Sequence, residues 1–196
     1  MKRSLAAVFA VLLAVSGLAG ASENVDVSAP LILVAKPDLR DNLYGSAILV
    51  VTPLGGDQHV GFIVNRPTAN SLSSVFPDHL PSQKVVDPVY LGGPIGSELI
   101  FAMVQRSDNP GGKSLLVMPG LFVAFDAPTV DRIIESEPEH ARFVAGLVTW
   151  RPGELHAEIE RGAWYVLAPD PALVMRQPEG LWEELVRRSQ HAANTI

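Results

Sequence analysis

Apolar positions recur along most of this chain in short runs, and the residues between them decide what each run becomes. Leu31–Lys36 is an apolar run stopped by Pro37 and predicts a strand. Ser46–Val51 predicts a second strand, with Thr52-Pro53-Leu54-Gly55-Gly56-Asp57 as the turn after it and Val60–Val64 as the return, because β-branched runs split by a Gly-rich turn form hairpins. Ser71–Phe76 predicts one helical turn, capped by Ser71 and ended by Pro77. Short strands follow at Val85–Val86 and Val89–Leu91, then at Glu98–Val104 and Leu115–Met118 on either side of the polar turn Ser107–Lys113, then at Leu121–Phe125.

From Asp126 the period changes. Val130, Ile133 and Ile134 share one face of a helix capped by Asp126 and running to about Ser136. Phe143–Thr149 returns to a strand pattern. Pro152-Gly153 opens a short helix with Leu155 and Ile159 four residues apart, closed by Gly162 in the left-handed conformation. Trp164–Leu167 predicts a strand, and Pro178 begins a last helix with Leu181, Trp182, Leu185 and Val186 as its apolar stripe. Strands dominate without a strict strand–helix alternation, which predicts an α+β (mixed α/β) domain with a central mixed sheet and surrounding helices, not a doubly wound one.

The N-terminus follows a different logic. Met1-Lys2-Arg3 is positive, an apolar run from Leu5 to Leu18 follows, and Ala19-Gly20-Ala21 supplies small residues in the arrangement a signal peptidase cleaves. The run is shorter than the roughly 20 residues a membrane-spanning helix needs. The expected organisation is a signal peptide over 1–21, a short linker over 22–30, one domain over 31–189 and a frayed tail over 190–196. Cleavage after Ala21 places the mature chain in the periplasm or outside the cell, with no stable membrane insertion; an uncleaved signal anchoring it to the inner membrane is the alternative.

Composition narrows the chemistry. The chain has no cysteine, so disulfides, thiolate catalysis, iron–sulfur clusters and cysteine-based zinc sites are excluded. Without Lys2 and Arg3, 13 basic residues face 21 acidic ones, a net charge of −8 that argues against nucleic acid as a partner. Gly112-Lys113-Ser114 lacks the upstream glycine of a phosphate loop and precedes a strand pattern where that loop needs a helix, so it reads as a surface turn. No G-x-S-x-G, H-E-x-x-H or S-x-x-K occurs. Glu154, His156 and Glu158 are the one set that could serve an enzyme or a metal. On a helix His156 points away from the two carboxylates, whereas on a strand all three would line one face.

Four local motifs appear in order: Leu33-Val34-Ala35-Lys36-Pro37 with Asp41 and Ser46 after it; Gly61-Phe62-Ile63-Val64-Asn65-Arg66-Pro67; Val89-Tyr90-Leu91-Gly92-Gly93-Pro94; and Gly146-Leu147-Val148-Thr149-Trp150-Arg151-Pro152-Gly153-Glu154-Leu155, followed by Glu158-Ile159 and Ala163-Trp164. Together they resemble the YqgE/AlgH family over roughly Leu31 to Ser189. The resemblance implies a small, partly barrel-like sheet with helices around it. It implies no established activity; the name of one branch reflects a proposed role in regulating alginate production. The chain departs from the family pattern at Thr149, where glycine is usual, and at Glu154, where glutamine is usual. Family members usually lack an export signal, and a periplasmic protein cannot act on DNA.

Within these motifs Gly92 and Gly93 have the structural reading of a tight turn, Pro67 that of a strand end, and Trp150 and Trp164 that of core. Asn65 and Arg66 are polar groups at a strand end, and Arg66 could hold a carboxylate or phosphate in bidentate fashion. The expected ligand site is Asn65, Arg66, Gly92, Gly93, Pro94, Trp150, Gly153 and Glu154, with the three motifs converging on one side of the domain. No catalytic residues, cofactor or metal are expected. The expected function is a non-catalytic binding, accessory or regulatory protein of the cell envelope that recognises a protein partner or a small anionic ligand. The alternatives are a hydrolase or metal-dependent enzyme using Glu154, His156 and Glu158, and a cytosolic transcriptional regulator.

Overall fold

The computed structural model describes residues 25–194. The expected signal peptide over 1–21 lies outside them, as do 22–24 and 195–196. Ten strands of the described chain form one curled sheet: β1 Leu31–Ala35, β2 Ile48–Gly55, β3 Gln58–Ile63, β4 Pro67–Ser71, β5 Pro88–Leu91, β6 Ile95–Gln105, β7 Ser114–Met118, β8 Leu121–Ala124, β9 Ala141–Trp150 and β10 Trp164–Leu167. The main path runs β10-β1-β2-β3-β9-β6-β8-β7, and every neighbour along it is antiparallel. The sheet curls until β7 approaches β2, giving a half-barrel. Five helices decorate it: α1 Leu72–Val75, α2 Ala127–Ser136, α3 Glu154–Glu160, α4 Pro171–Val174 and α5 Leu181–Ala193. None of the described helices is long and apolar enough to cross a membrane.

Strand alternation assigns the two faces. Ile32, Val34, Ile48, Val50, Val60 and Phe62 point inward, where α4 and α5 plug the half-barrel with Leu173, Val174, Leu181, Leu185 and Val186. Leu31, Leu33, Leu49, Val51 and Ile63 point outward and are covered by α3 through Leu155, with Trp150 and Trp164 in the same cluster. The other outer end is covered by α1 and α2, with Leu72, Val130, Ile133 and Ile134 against Ala102, Val104 and Phe122. The predicted stripes of α2 and α5 are therefore the observed ones.

β9 is the central strand, and it has two partners on one edge. Tyr90 and Leu91 of β5 run parallel to it beside Val144 and Ala145, and β3 runs antiparallel beside Val148–Trp150. The chain then crosses from β5 to β6 on the opposite edge, passing directly over β9. Glycine makes that crossing possible: a Cβ on Gly92 would stand 2.3 Å from Gly146 O, and one on Gly93 2.3 Å from the Leu147 carbonyl. Gly146 itself has φ +74° and resets the alternation of β9, so that Phe143 and Ala145 face the α2 side while Val148 and Trp150 face α3.

Five expectations change. β2 runs on through Gly55, because β1 begins at Leu31 opposite Val51 and leaves Pro53 paired with β3 alone, on an edge that tolerates proline. Pro67 begins an edge strand, where the sequence suggested that it ended one. Val85–Val86 is not a strand; Val86 is 94% exposed, after a 3-10 turn over Leu80–Lys84. The last helix begins at Leu181 and continues through Ala193, beyond the tail expected from Gln190. Val25–Pro30, expected as a tether, is docked: buried His59 reaches Val27 O at 2.8 Å.

Candidate functional site

α3 starts from a turn that its own side chains close. Asp57 of the β2–β3 turn accepts Gly153 N–H at 2.7 Å, and Glu154 accepts Arg151 N–H at 2.8 Å. Leu155, 1% exposed, anchors the helix in the outer cluster. That anchoring turns Glu158 toward β9 and β10. Its Oε2 accepts the indole N–H of Trp150 at 3.1 Å and that of Trp164 at 2.9 Å. Trp150 lies flat enough over β3 that a Cβ on Gly61 would come within 2.8 Å of its ring.

The loop between β1 and β2 closes the other side. Asp41 accepts Leu43 N–H and Tyr44 N–H, both at 2.7 Å, and folds the loop back. Tyr44 then stands edge-on to Trp164, with ring centroids 6.3 Å apart and planes at 83°. Between them opens a cleft with two lobes. One, of about 100 Å³, is lined by Tyr44, Val148, Thr149, Trp150, Glu154 and Glu158; the other, of about 200 Å³, reaches Asp41 and Arg161. Burial, with the negative charges of Glu158 and Asp41 behind it, pushes the Tyr44 hydroxyl above the ordinary tyrosine range.

Asn65 and Arg66 hold this loop in place. Asn65 accepts Ile48 N–H at 2.8 Å and donates to Ser46 O at 2.9 Å. Arg66 donates to Asn42 O at 3.2 Å and to Gly45 O. Ser46 sits at φ +63°, a left-handed conformation unusual outside glycine, and the two side chains grip the chain around it. Trp150 and Glu154 therefore line the cleft, and Asn65 and Arg66 brace its wall from behind. Gly153 sets the start of α3. Gly92 and Gly93 occupy the crossing over β9, and they and exposed Pro94 are not among the residues that line the cleft.

The Glu154, His156 and Glu158 set divides as the helical reading predicts. His156 faces Glu160 at 3.2 Å and lines a separate groove of about 550 Å³ with His59, Asp57 and the docked Val25–Ser28 segment. Among the described residues no three His, Asp or Glu side chains are grouped as metal ligands. Gly112-Lys113-Ser114 is a turn whose Lys113 N–H is taken by Asp126, in the place a phosphate would need. Tyr44 went unnoticed in the sequence. The available signal was a twelve-residue loop over 36–47 between two buried strands, longer than a hairpin turn and carrying one aromatic side chain.

Curled antiparallel sheet, helical plug and glycine crossing together define an α+β half-barrel with an aromatic–carboxylate cleft beneath α3. The chain belongs to the AlgH-like family, whose profile matches residues 32–194. A UPF0301 protein of Thermobifida fusca is 32% identical over 173 residues, covering 80% of this chain and 84% of that protein. A UPF0301 protein of Chlorobium luteolum is 27% identical, covering 85% and 88%. Among solved structures, the AlgH protein of Pseudomonas aeruginosa superposes with a TM-score of 0.69 at 20% identity, over 84% of this chain and 88% of that one. A Corynebacterium diphtheriae protein superposes at 0.66 and 20% identity, over 82% and 86%. At that identity the likeness is one of fold.

Proposed function

We propose that this chain is a non-catalytic binding or accessory protein of the cell envelope, and that the cleft between Tyr44, Trp150, Trp164 and Glu158 is where it binds. The observation that carries this reading is the way the cleft is built. Two indoles fix one carboxylate, and Asn65 and Arg66 fix the loop that brings Tyr44 to it, so the walls are set before any ligand arrives. His156 stands on another face of α3 from Glu158, which favours binding over a reaction that would need the two together. The envelope assignment rests on the positive start, the short apolar run and Ala19-Gly20-Ala21.

Two measurements test it. N-terminal sequencing of protein from fractionated cells is expected to give Ser22 in the periplasmic fraction; intact Met1 in the cytosol would overturn the location. Pull-downs from periplasmic extract with wild type and Tyr44→Ala are expected to differ in what they recover. Identical recovery by two equally stable proteins would remove the cleft as the binding site.

A further inference from the structure

We infer that the cleft takes an organic cation, an alkylammonium or guanidinium head group, seated against the rings of Tyr44 and Trp164 with Glu158 as its counter-charge. This rests on the reading of the cleft as the binding site and goes beyond it by naming the ligand class.

Glu158 is the first reason. Its Oε2 is used by two indole donors, which hold the carboxylate in one orientation. Its Oε1 accepts no hydrogen bond, and Glu158 forms no ion pair among the described residues, although Arg161 lines the same cleft. A part-buried carboxylate fixed on one oxygen and open on the other presents a directed negative charge. Glu158 is the one of the cleft's carboxylates held by ring donors: Glu154 takes Arg151 N–H, and Asp41 takes two amides of its own loop on Oδ1 and adds its charge from the second lobe.

Ring geometry is the second. Aromatic faces carry the negative part of the ring quadrupole, and two rings set at 83° with centroids 6.3 Å apart make a corner that a compact cation can touch on two sides. The cleft's lobes of about 100 and 200 Å³ have room for a head group and not for a large cofactor. Sign is the third. Asp41, Glu154 and Glu158 line the cleft against Arg161 alone; burial raises the Tyr44 hydroxyl first, and Glu158 and Asp41 add to it. An anion would have to enter that field, while Arg66 is engaged by the carbonyls of Asn42 and Gly45.

The test uses the three indole N–H signals of the ¹⁵N-labelled protein, with Trp182, which packs on the opposite face of the sheet and donates to Ala35 O, as internal reference. Titrations with tetramethylammonium chloride and with methylguanidinium chloride run beside sodium chloride at matched ionic strength and sodium acetate as the anion arm. Saturable shifts of the Trp150 and Trp164 signals with either organic cation, and none with sodium chloride, are expected. Saturation by one cation alone tells the ammonium source from the guanidinium source. Glu158→Gln keeps an acceptor for the indoles and is expected to weaken cation binding at least tenfold, about 1.4 kcal/mol; Tyr44→Ala also weakens it, and Tyr44→Phe does not. Unchanged affinity in a folded Glu158→Gln protein, or no saturable response to either cation, overturns the inference. A saturable response to acetate that Tyr44→Ala removes overturns the cation while leaving the cleft as a binding site.

Discussion

Trp150 and Trp164, fourteen positions apart on different strands, donate their indole N–H groups to the same oxygen of Glu158, at 3.1 and 2.9 Å. Both rings are buried, so removing the acceptor leaves two donors without water or protein to satisfy them. Glu158→Leu is expected to cost about 2–6 kcal/mol, roughly one to three for each orphaned donor. Glu158→Gln, whose amide oxygen still accepts, should cost clearly less. Urea unfolding of the three proteins checks the order; equal stability of the leucine and glutamine variants would contradict it.

Arg142 gives a second prediction. It is 3% exposed, stacks 4.2 Å over the ring of Tyr90 and donates to Val64 O and Arg176 O, and burial pulls its guanidinium below the ordinary arginine range. Its Nε has no hydrogen-bond partner among the described residues, so part of the group is buried at a cost. Arg142→Met keeps the volume and the contact with Tyr90 while removing the buried charge, and should destabilise less than Arg142→Ala, which leaves a cavity as well; the alanine variant is expected to lose about 2–5 kcal/mol. Chemical denaturation measures both.

Two glycines of the family motifs should respond differently to the same change. A Cβ on Gly93 meets backbone of Leu147 at 2.3 Å, whereas one on Gly153 meets nothing within 4 Å and is opposed only by φ +80°. Gly153→Ala is expected to cost about 1–2 kcal/mol, the usual penalty of the left-handed conformation. Gly93→Ala forces β9 away from the crossing and should cost more than that, or yield no folded protein. Thermal melts of purified protein, or its loss to the insoluble fraction, give the answer.

Asn65→Ala and Arg66→Ala should separate stability from order. Asn65 satisfies the N–H of Ile48, a residue with no exposed surface, and its loss is expected to cost about 1–3 kcal/mol. Arg66 holds two carbonyls of an exposed loop that water can reach instead, so Arg66→Ala should shift the melting temperature less while speeding amide exchange at Tyr44 and Gly45. Unchanged exchange at those two amides would show that Arg66 does not brace the loop.

The Tyr44 hydroxyl can be read directly. Its raised value comes first from burial and then from Glu158 and Asp41. The native state holds this proton more tightly than the unfolded chain, so the stability linked to it is whole below the ordinary tyrosine value of about 10 and is lost as pH rises through the raised native value. Absorbance titration in a Tyr90→Phe, Tyr165→Phe background isolates the group. Adding Glu158→Gln is expected to lower the midpoint.

Helices were legible where one face repeated. Val130, Ile133 and Ile134, or Leu155 and Ile159, declare a side to bury regardless of what covers it. β4 and the parallel pairing of β5 with β9 were not legible, since Pro67–Ser71 has no apolar pattern and the strand that β5 joins lies more than fifty residues away. In the site, Trp150 and Glu154 could be named because they sit in a dense motif. The bracing role of Asn65 and Arg66 could not, because their partners are backbone groups of the Asn42–Ile48 loop, which carry no sequence signature. Gly92 and Gly93 looked like a turn; the close approach that demands them is set by Gly146 and Leu147, over fifty positions later.

The place of β9 also sets when this protein can fold. Its residues bond to β3, β5 and β6, so a nascent chain that has not yet reached Trp150 lacks the piece joining the β1-β2-β3 ribbon to the β6-β8-β7 ribbon. Closure waits on contacts of long sequence separation, and sheets of that kind form in milliseconds to seconds rather than microseconds. Until then the two ribbons expose apolar faces with nothing between them. A chain that stays open until just over three-quarters of it has been made is suited to threading through a translocation pore, which is what the proposed export would ask of it.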